Sequence, residues 1–284
     1  MNLQHIEATP ERGTIPPAPA VTRVLAVANQ KGGVGKTTTT VNLATALAAC
    51  GKQVLIIDLD PQGNASTGLG VTSEKRGHSV YQVLLDEMPI SQAVTRTLVP
   101  GMDIVPSGVD LSGAELELID VPQREYRLRN AIQAIRGKYD FVLIDCPPAL
   151  GLLTLNALVG ADSVLVPLQA EFYALEGLSH LMRTIDRVRR GLNQALTLQG
   201  VVLTMFDRRN NLCEMVAADV RDYLGDRVYQ TMIPRNVRVS EAPSHGKPVL
   251  LYDMRCAGAQ AYIRLAREIL QRENDLAGEP ALAS

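Results

Sequence analysis

The chain has 284 residues, 46% hydrophobic and 20% charged, with a formal net charge of −2. That is enough apolar material for a sizeable core at the upper end of what one domain contains, and it excludes a chain too polar to fold. The charge is uneven: residues 180–272 carry fifteen Lys and Arg against nine Asp and Glu, so an acidic chain has room for one basic face.

Residues 1–22 hold Pro10, Pro16, Pro17 and Pro19 and no continuous apolar run, which reads as a flexible tail and not a signal peptide. Val24–Asn29 is apolar and β-rich, Thr37–Ala49 is an alanine- and leucine-rich helix ending near Gly51, and Gln53–Asp58 is a second buried-strand run. Together they form a βαβ unit, whose helix suits a crossover between parallel neighbours or near-neighbours. Further strands are expected at Asp103–Pro106, Phe141–Asp145, Ser163–Pro167, Leu198–Thr204 and Val228–Ile233. Helices are expected near Ser79–Glu87, Gln123–Arg136, Leu152–Leu158, Ala174–Arg190, Asn211–Leu224 and Gly258–Glu273. This alternation predicts a single α/β domain over 23–273, a mostly parallel sheet with helices on both faces that binds its ligand at the strand C-terminal ends. Residues 274–284, acidic and helix-poor, read as a second tail.

The cysteines, Cys50, Cys146, Cys213 and Cys256, lie far apart with no C-x-x-C pair. They argue for reduced thiols in a cytosolic protein rather than a disulfide framework or zinc site; Cys146 reads as a packing residue at a strand end. No apolar stretch reaches the roughly 18–20 residues that span a bilayer.

The most informative string is Gln30-Lys31-Gly32-Gly33-Val34-Gly35-Lys36-Thr37-Thr38, directly after the first strand. A glycine-rich loop between strand and helix wraps backbone N–H groups around a polyphosphate; Lys36 adds positive charge and the Thr37 hydroxyl a ligand for Mg2+. The usual pattern G-x-x-x-x-G-K-S/T wants glycine at position 30 and meets Gln30, while an extra lysine, Lys31, opens the loop. Taken alone, Lys31 fits a solvated loop lysine as well as a second phosphate ligand. Asp58 and Asp60 fall where the second strand leaves the sheet, and Asp145 follows the apolar run Phe141–Ile144. Carboxylates facing a phosphate site repel it unless magnesium or a water proton lies between, and Asp145 has the layout of a Walker B aspartate.

The segment Lys31–Thr37 resembles the deviant P-loop of the ParA/Soj/MinD ATPases. The likeness covers roughly residues 23–272, because Phe206–Asn211 and Ile233–Pro248 look like the C-terminal segments of chromosomal ParA/Soj proteins. The resemblance implies a P-loop ATPase using ATP and Mg2+ that dimerises with ATP, binds double-stranded DNA nonspecifically and is stimulated by a ParB/Spo0J-type centromere-binding partner. It implies a cytoplasmic, nucleoid-associated protein of chromosome or plasmid segregation with no membrane partner. By it Lys31 reaches across the dimer to the other ATP, Asp60 positions the attacking water, and Asp58 and Asp145 surround the Thr37-bound magnesium. Met205, Pro234 and Asn236 flank the adenine. The tail 1–22 is longer than the family leads one to expect.

Arg208, Arg209, Arg235 and Arg238 lie in segments rich in Asn and Pro where arginine has no packing role, and are read as DNA contacts, Arg209 and Arg238 foremost. Arg183, Arg187, Arg189 and Arg190 lie on one predicted helix and read as a solvated face. With aromatic residues at 4% and no Trp, stacking on single strands is not expected. The main alternative is a MinD-like membrane-cycling ATPase, which should end in a basic amphipathic anchor.

Overall fold

The computed structural model describes residues 22–278. Its sheet has seven strands: β1 Arg23–Val27, β2 Val54–Asp58, β3 Thr95–Arg96, β4 Met102–Val105, β5 Phe141–Asp145, β6 Ser163–Gln169 and β7 Thr197–Thr204. They lie in the order β3-β4-β2-β5-β1-β6-β7, and only β3 runs antiparallel. The β1–β2 crossover therefore joins near-neighbours, with β5 inserted between them. The connections leaving the adjacent strands β1 and β5 run toward opposite edges of the sheet, and the crevice at such a switch point is where open α/β sheets hold ligands.

The strands read as continuous apolar runs because helices cover both faces. Alternate residues of one strand feed separate cores. Val24, Ala26, Leu55, Ile57, Val142 and Ile144 pack with the helices Arg127–Gln133, Leu152–Gly160 and Ala174–Gly191. Leu25, Val54, Ile56 and Leu143 face the helices Lys36–Ala49 and Ala257–Gly278, which contribute Leu43, Leu47, Leu265 and Ile269.

Several expected boundaries shift for physical reasons. Val228–Ile233 is not a strand: its backbone bonds to β7 are Tyr229 N–H to Val201 O (2.9 Å) and Ile233 N–H to Leu203 O (2.8 Å), too sparse for a ladder. Between them the Gln230 and Thr231 N–H groups donate to the Glu268 carboxylate at 2.9 and 3.0 Å instead of to a ladder. The last helix continues to Gly278, beyond the expected end at Glu273, because no glycine or proline interrupts residues 274–277. Thr22, assigned to the N-terminal tail, is buried: its hydroxyl donates to Tyr139 O and accepts from the Gly137 N–H, both at 2.7 Å. Residues 1–21, the rest of that tail, and 279–284 lie outside the described residues. Short elements such as Asn64–Gly68, Leu111–Glu117 and Val237–Glu241 were too brief to carry a period.

Gly200 lets the irregular segment pass close to β7. A Cβ there would stand 2.7 Å from the backbone oxygen of Arg227 and 2.7 Å from the Tyr229 ring. Gly200→Ala should cost about 1–3 kcal/mol, typical of overpacking, read as a lowered urea midpoint, and should loosen the segment leading to Pro234. An unchanged midpoint would show that this contact relaxes freely.

Candidate nucleotide site

The site is built where β1, β2 and β5 end. Asn29 staples the exit of β1: its Nδ2 donates to Pro167 O within β6 (2.8 Å), and its Oδ1 accepts the Lys31 N–H (3.1 Å). The loop then turns through Gly33 (φ 74°) and Gly35 (φ 88°), left-handed conformations that glycine adopts without a Cβ penalty. The Thr204 hydroxyl at the end of β7 holds the loop down through Val34 O (2.8 Å). Gly35 caps the helix Lys36–Ala49 with no side chain, leaving its first N–H groups open toward an anion. Lys36 Nζ donates to Lys31 O at 3.0 Å. Burial lowers the Lys36 pKa, opposed by the nearby Asp145, Cys146 and Asp60.

Beneath the loop lies a pair of carboxylates. Asp58 and Asp145 are register partners on β2 and β5, and both are completely buried. Asp58 Oδ2 accepts from Ser66 N–H (2.8 Å) and Ser66 Oγ (2.6 Å), while its Oδ1 meets only the Asp60 N–H at 3.4 Å. Asp145 Oδ1 accepts from the Thr40 hydroxyl (3.0 Å), and Asp145 Oδ2 is buried with no hydrogen-bond partner. Burial raises both pKa values; the Asp58 charge adds to the rise at Asp145, and hydrogen bonds from Ser66 at Asp58 and from Thr40 at Asp145, with the Thr37 hydroxyl nearby, oppose it. An orphaned carboxylate oxygen opposite another carboxylate, with the Thr37 hydroxyl close by, is an all-oxygen donor set that fits a hard cation such as magnesium. Cys146 is buried and its thiol pKa is raised by burial, consistent with packing.

Above the acids opens a cleft of about 630 Å³. Gly32, Gly33, Gly35, Lys36, Thr37, Thr38, Asp60, Met205, Pro234 and Asn236, all named from the sequence, line it. Met205 has φ 48°, a rare conformation for a non-glycine residue. Asn236 spends its Oδ1 as cap of the helix Val237–Glu241, accepting from Arg238 N–H at 3.0 Å. Asp60 accepts from the Gln62 N–H at 3.0 Å, which fixes the carboxylate at the cleft wall.

Of the other expected site residues, Arg235 also lines the cleft. Val34 is packed inside, and Lys31 points outward to an ion pair with Glu171, both side chains well exposed. Asn64, Thr204, Val239, Ser240 and Tyr262 line the cleft and were missed. Thr204 sits at a strand C-terminal end, a signal available from the sequence; Tyr262, on the last helix, had none.

Arg208, Arg209 and Arg235 line a second concavity of about 710 Å³, joined there by Arg264, which the sequence reading missed. Arg209 forms a double hydrogen bond with Asp207 (2.9 and 2.8 Å), and that contact pulls the Asp207 pKa down to about 2. Arg238 is not in this concavity; it pairs with Glu241 (2.9 Å) and Asp253 (3.6 Å). Arg183, Arg187, Arg189 and Arg190 are exposed, as a solvated face requires.

Comparison with known proteins agrees with this geometry. Residues 22–198 match the family described as "AAA domain". The chain is 63% identical over 255 residues to the chromosome partitioning protein ParA of Caulobacter vibrioides, covering 89% of this chain and 96% of that one. It is 51% identical over 247 residues to the sporulation initiation inhibitor protein Soj of Bacillus subtilis, covering 87% and 98%. A Mycobacterium smegmatis structure described as cobyrinic acid a,c-diamide synthase with bound ATP analog and magnesium superposes with TM-score 0.80 at 40% identity, covering 93% of this chain and all of that one. The glycine loop opening on Lys31, the strand-end acids and this identity over nearly nine-tenths of the chain have one meaning: the chain belongs to the ParA/Soj family.

Proposed function

We propose that the chain is an ATP-hydrolysing dimer switch that binds double-stranded DNA without regard to sequence in its ATP state and drives chromosome or plasmid partitioning with a ParB/Spo0J-type partner. The observation that carries the reading is the buried pair Asp58 and Asp145, with Asp145 Oδ2 unpartnered, under a glycine loop that holds Lys36. Such a pair needs a cation, and the open helix N-terminus beside it suits the phosphates that accompany one.

In this reading the loop N–H groups and Lys36 hold the β- and γ-phosphates, and Asp58 and Asp145, with Thr37, hold the magnesium shell. Magnesium, when bound, neutralises charge building up between those phosphates. Asp60 orients the attacking water; phosphoryl transfer needs positioning more than a strong base, so a carboxylate suffices. Lys31 completes the partner's site. A charge supplied in trans is worth about 10³–10⁵ in rate, which makes hydrolysis conditional on dimerisation. The Lys31–Glu171 pair does not forbid this: both side chains are exposed, 49% and 36%, and such pairs contribute only about 0–1 kcal/mol.

Arg208, Arg209, Arg235 and Arg264 offer a concave basic surface, with Asp207 offsetting part of the charge of Arg209. Arg238 extends the basic character beyond it once released from Glu241 and Asp253. The membrane-cycling alternative is disfavoured because the last described helix already buries Tyr262, Leu265, Ala266 and Ile269 in the core. No helix among the described residues is long and apolar enough to cross a membrane.

Lys36→Ala should abolish or severely weaken ATP binding, whereas Lys31→Ala should bind ATP yet stay monomeric by light scattering. An ATP-dependent dimer of the Lys31 variant would remove its cross-dimer role.

Asp60→Ala should keep ATP affinity and accumulate as a dimer, with phosphate release near background. Release at the parental rate would take Asp60 out of the mechanism.

On unrelated duplexes, anisotropy should show binding with ATP and not with ADP, and log affinity should fall steeply with log salt, by about 0.9 per phosphate neutralised. Arg209→Glu or Arg238→Glu should lose DNA while still dimerising. Equal binding with ADP would break the coupling, and undiminished binding by both variants would discard those arginines. Pelleting of the ATP form with liposomes in the absence of DNA would favour the membrane alternative.

A further inference from the structure

We propose that Ser66 is a positioning residue for Asp58: its buried hydroxyl occupies one carboxylate oxygen and so dedicates the other to the magnesium side. The inference rests on the reading of Asp58 as a magnesium-side carboxylate.

Ser66 lies in the short helix Asn64–Gly68 and is completely inaccessible. Its Oγ stands 2.6 Å and its N–H nitrogen 2.8 Å from the same atom, Asp58 Oδ2. The shorter distance lies at the strong end of O–H···O bonds. The direction of the bond is fixed independently. Ser66 Oγ also accepts the backbone N–H of Ser107, just beyond β4, at 3.1 Å. A backbone N–H can only donate, so the hydroxyl acts as acceptor toward Ser107 and its one hydrogen goes to Asp58.

The outer torsion of an aspartate is broad and roughly two-fold, so an unrestrained Asp58 could exchange its two oxygens freely. Two donors on Oδ2, against a single 3.4 Å contact on Oδ1, remove that equivalence. Asp58 then faces Asp145, its register partner on β5, with one oxygen free of strong donors, as Asp145 does with Oδ2. The end of β4 is held in turn by Arg76, which donates to Ser107 O at 3.3 Å and to Val71 O at 2.8 Å. The line from β4 through Ser66 to Asp58 is thus anchored at its far end.

The test measures equilibrium binding of a fluorescent ADP analogue as Mg2+ is titrated, for the parental chain and for Ser66→Ala, Ser66→Cys, Ser107→Ala and Asp58→Ala. Ser66→Ala should raise the half-saturating Mg2+ concentration by about tenfold, the scale of one hydrogen bond to a charged group, with analogue affinity in EDTA unchanged. Ser66→Cys keeps the size but donates weakly, and should also be raised; it carries the test if the alanine variant does not fold. Ser107→Ala deletes a buried hydroxyl that has no partner and keeps the N–H that orients Ser66, so it should match the parent. Parental Mg2+ dependence in Ser66→Cys, or in a folded Ser66→Ala, overturns the positioning role while Asp58→Ala is impaired. Parental dependence in Asp58→Ala overturns the reading of Asp58 itself, and the inference with it.

Discussion

The structure turns on the juxtaposition of two carboxylates that water does not reach. Asp58 and Asp145 close adjacent parallel strands at the same level, and neither has any exposed surface. Removing two like charges from water costs several kcal/mol unless a counter-charge is supplied. The chain supplies only part of it: Lys36 is close, but its ammonium is turned to Lys31 O. Burial accordingly raises both pKa values, and on the proposed reading a metal–nucleotide complex supplies the charge that lets both ionise. Each surrounding feature answers to that need. The two left-handed glycines open the loop, Thr204 holds it down and Thr40 orients Asp145.

A second constraint links this centre to the rest of the molecule. Met205, Pro234 and Asn236 reach the cleft because the segment after Val228 follows β7 closely enough for Phe206 N–H to bond Ile233 O (2.9 Å) and Arg235 N–H to bond Phe206 O (3.1 Å). Arg235 lines both the nucleotide cleft and the arginine-rich concavity. One short stretch of chain thus forms a wall of each.

Much of this was legible in the sequence, for identifiable reasons. Asp58, Asp60 and Asp145 stand at or just past the ends of apolar strands, and Lys36 opens the helix after the glycine loop; a strand end in a parallel sheet is a place as well as a residue. The helix Asn211–Leu224 was bounded correctly because Asn210 caps it and Gly225 follows it. What escaped were contacts that only folding creates. Ser66 reaches Asp58 across eight residues, Glu171 meets Lys31 across 140, and Tyr262 comes to the cleft from the far end of the chain. The Val228–Ile233 run has strand composition, yet Glu268 takes the N–H groups a ladder would have used, and composition cannot foresee a competing side chain. Arg209 and Arg238 were read as arginines with no packing role, and each has an acidic partner two or three residues away, Asp207 and Glu241.

The proposed reading makes the nucleotide and its metal the missing half of a charge arrangement, and makes hydrolysis wait for a pair of chains. Its most direct test is the mass of the parental protein in solution, by light scattering, with ATP and Mg2+, with ADP and Mg2+, and with ATP and EDTA. The account predicts a dimer in the first condition and a monomer in the other two. The same mass in all three would contradict it.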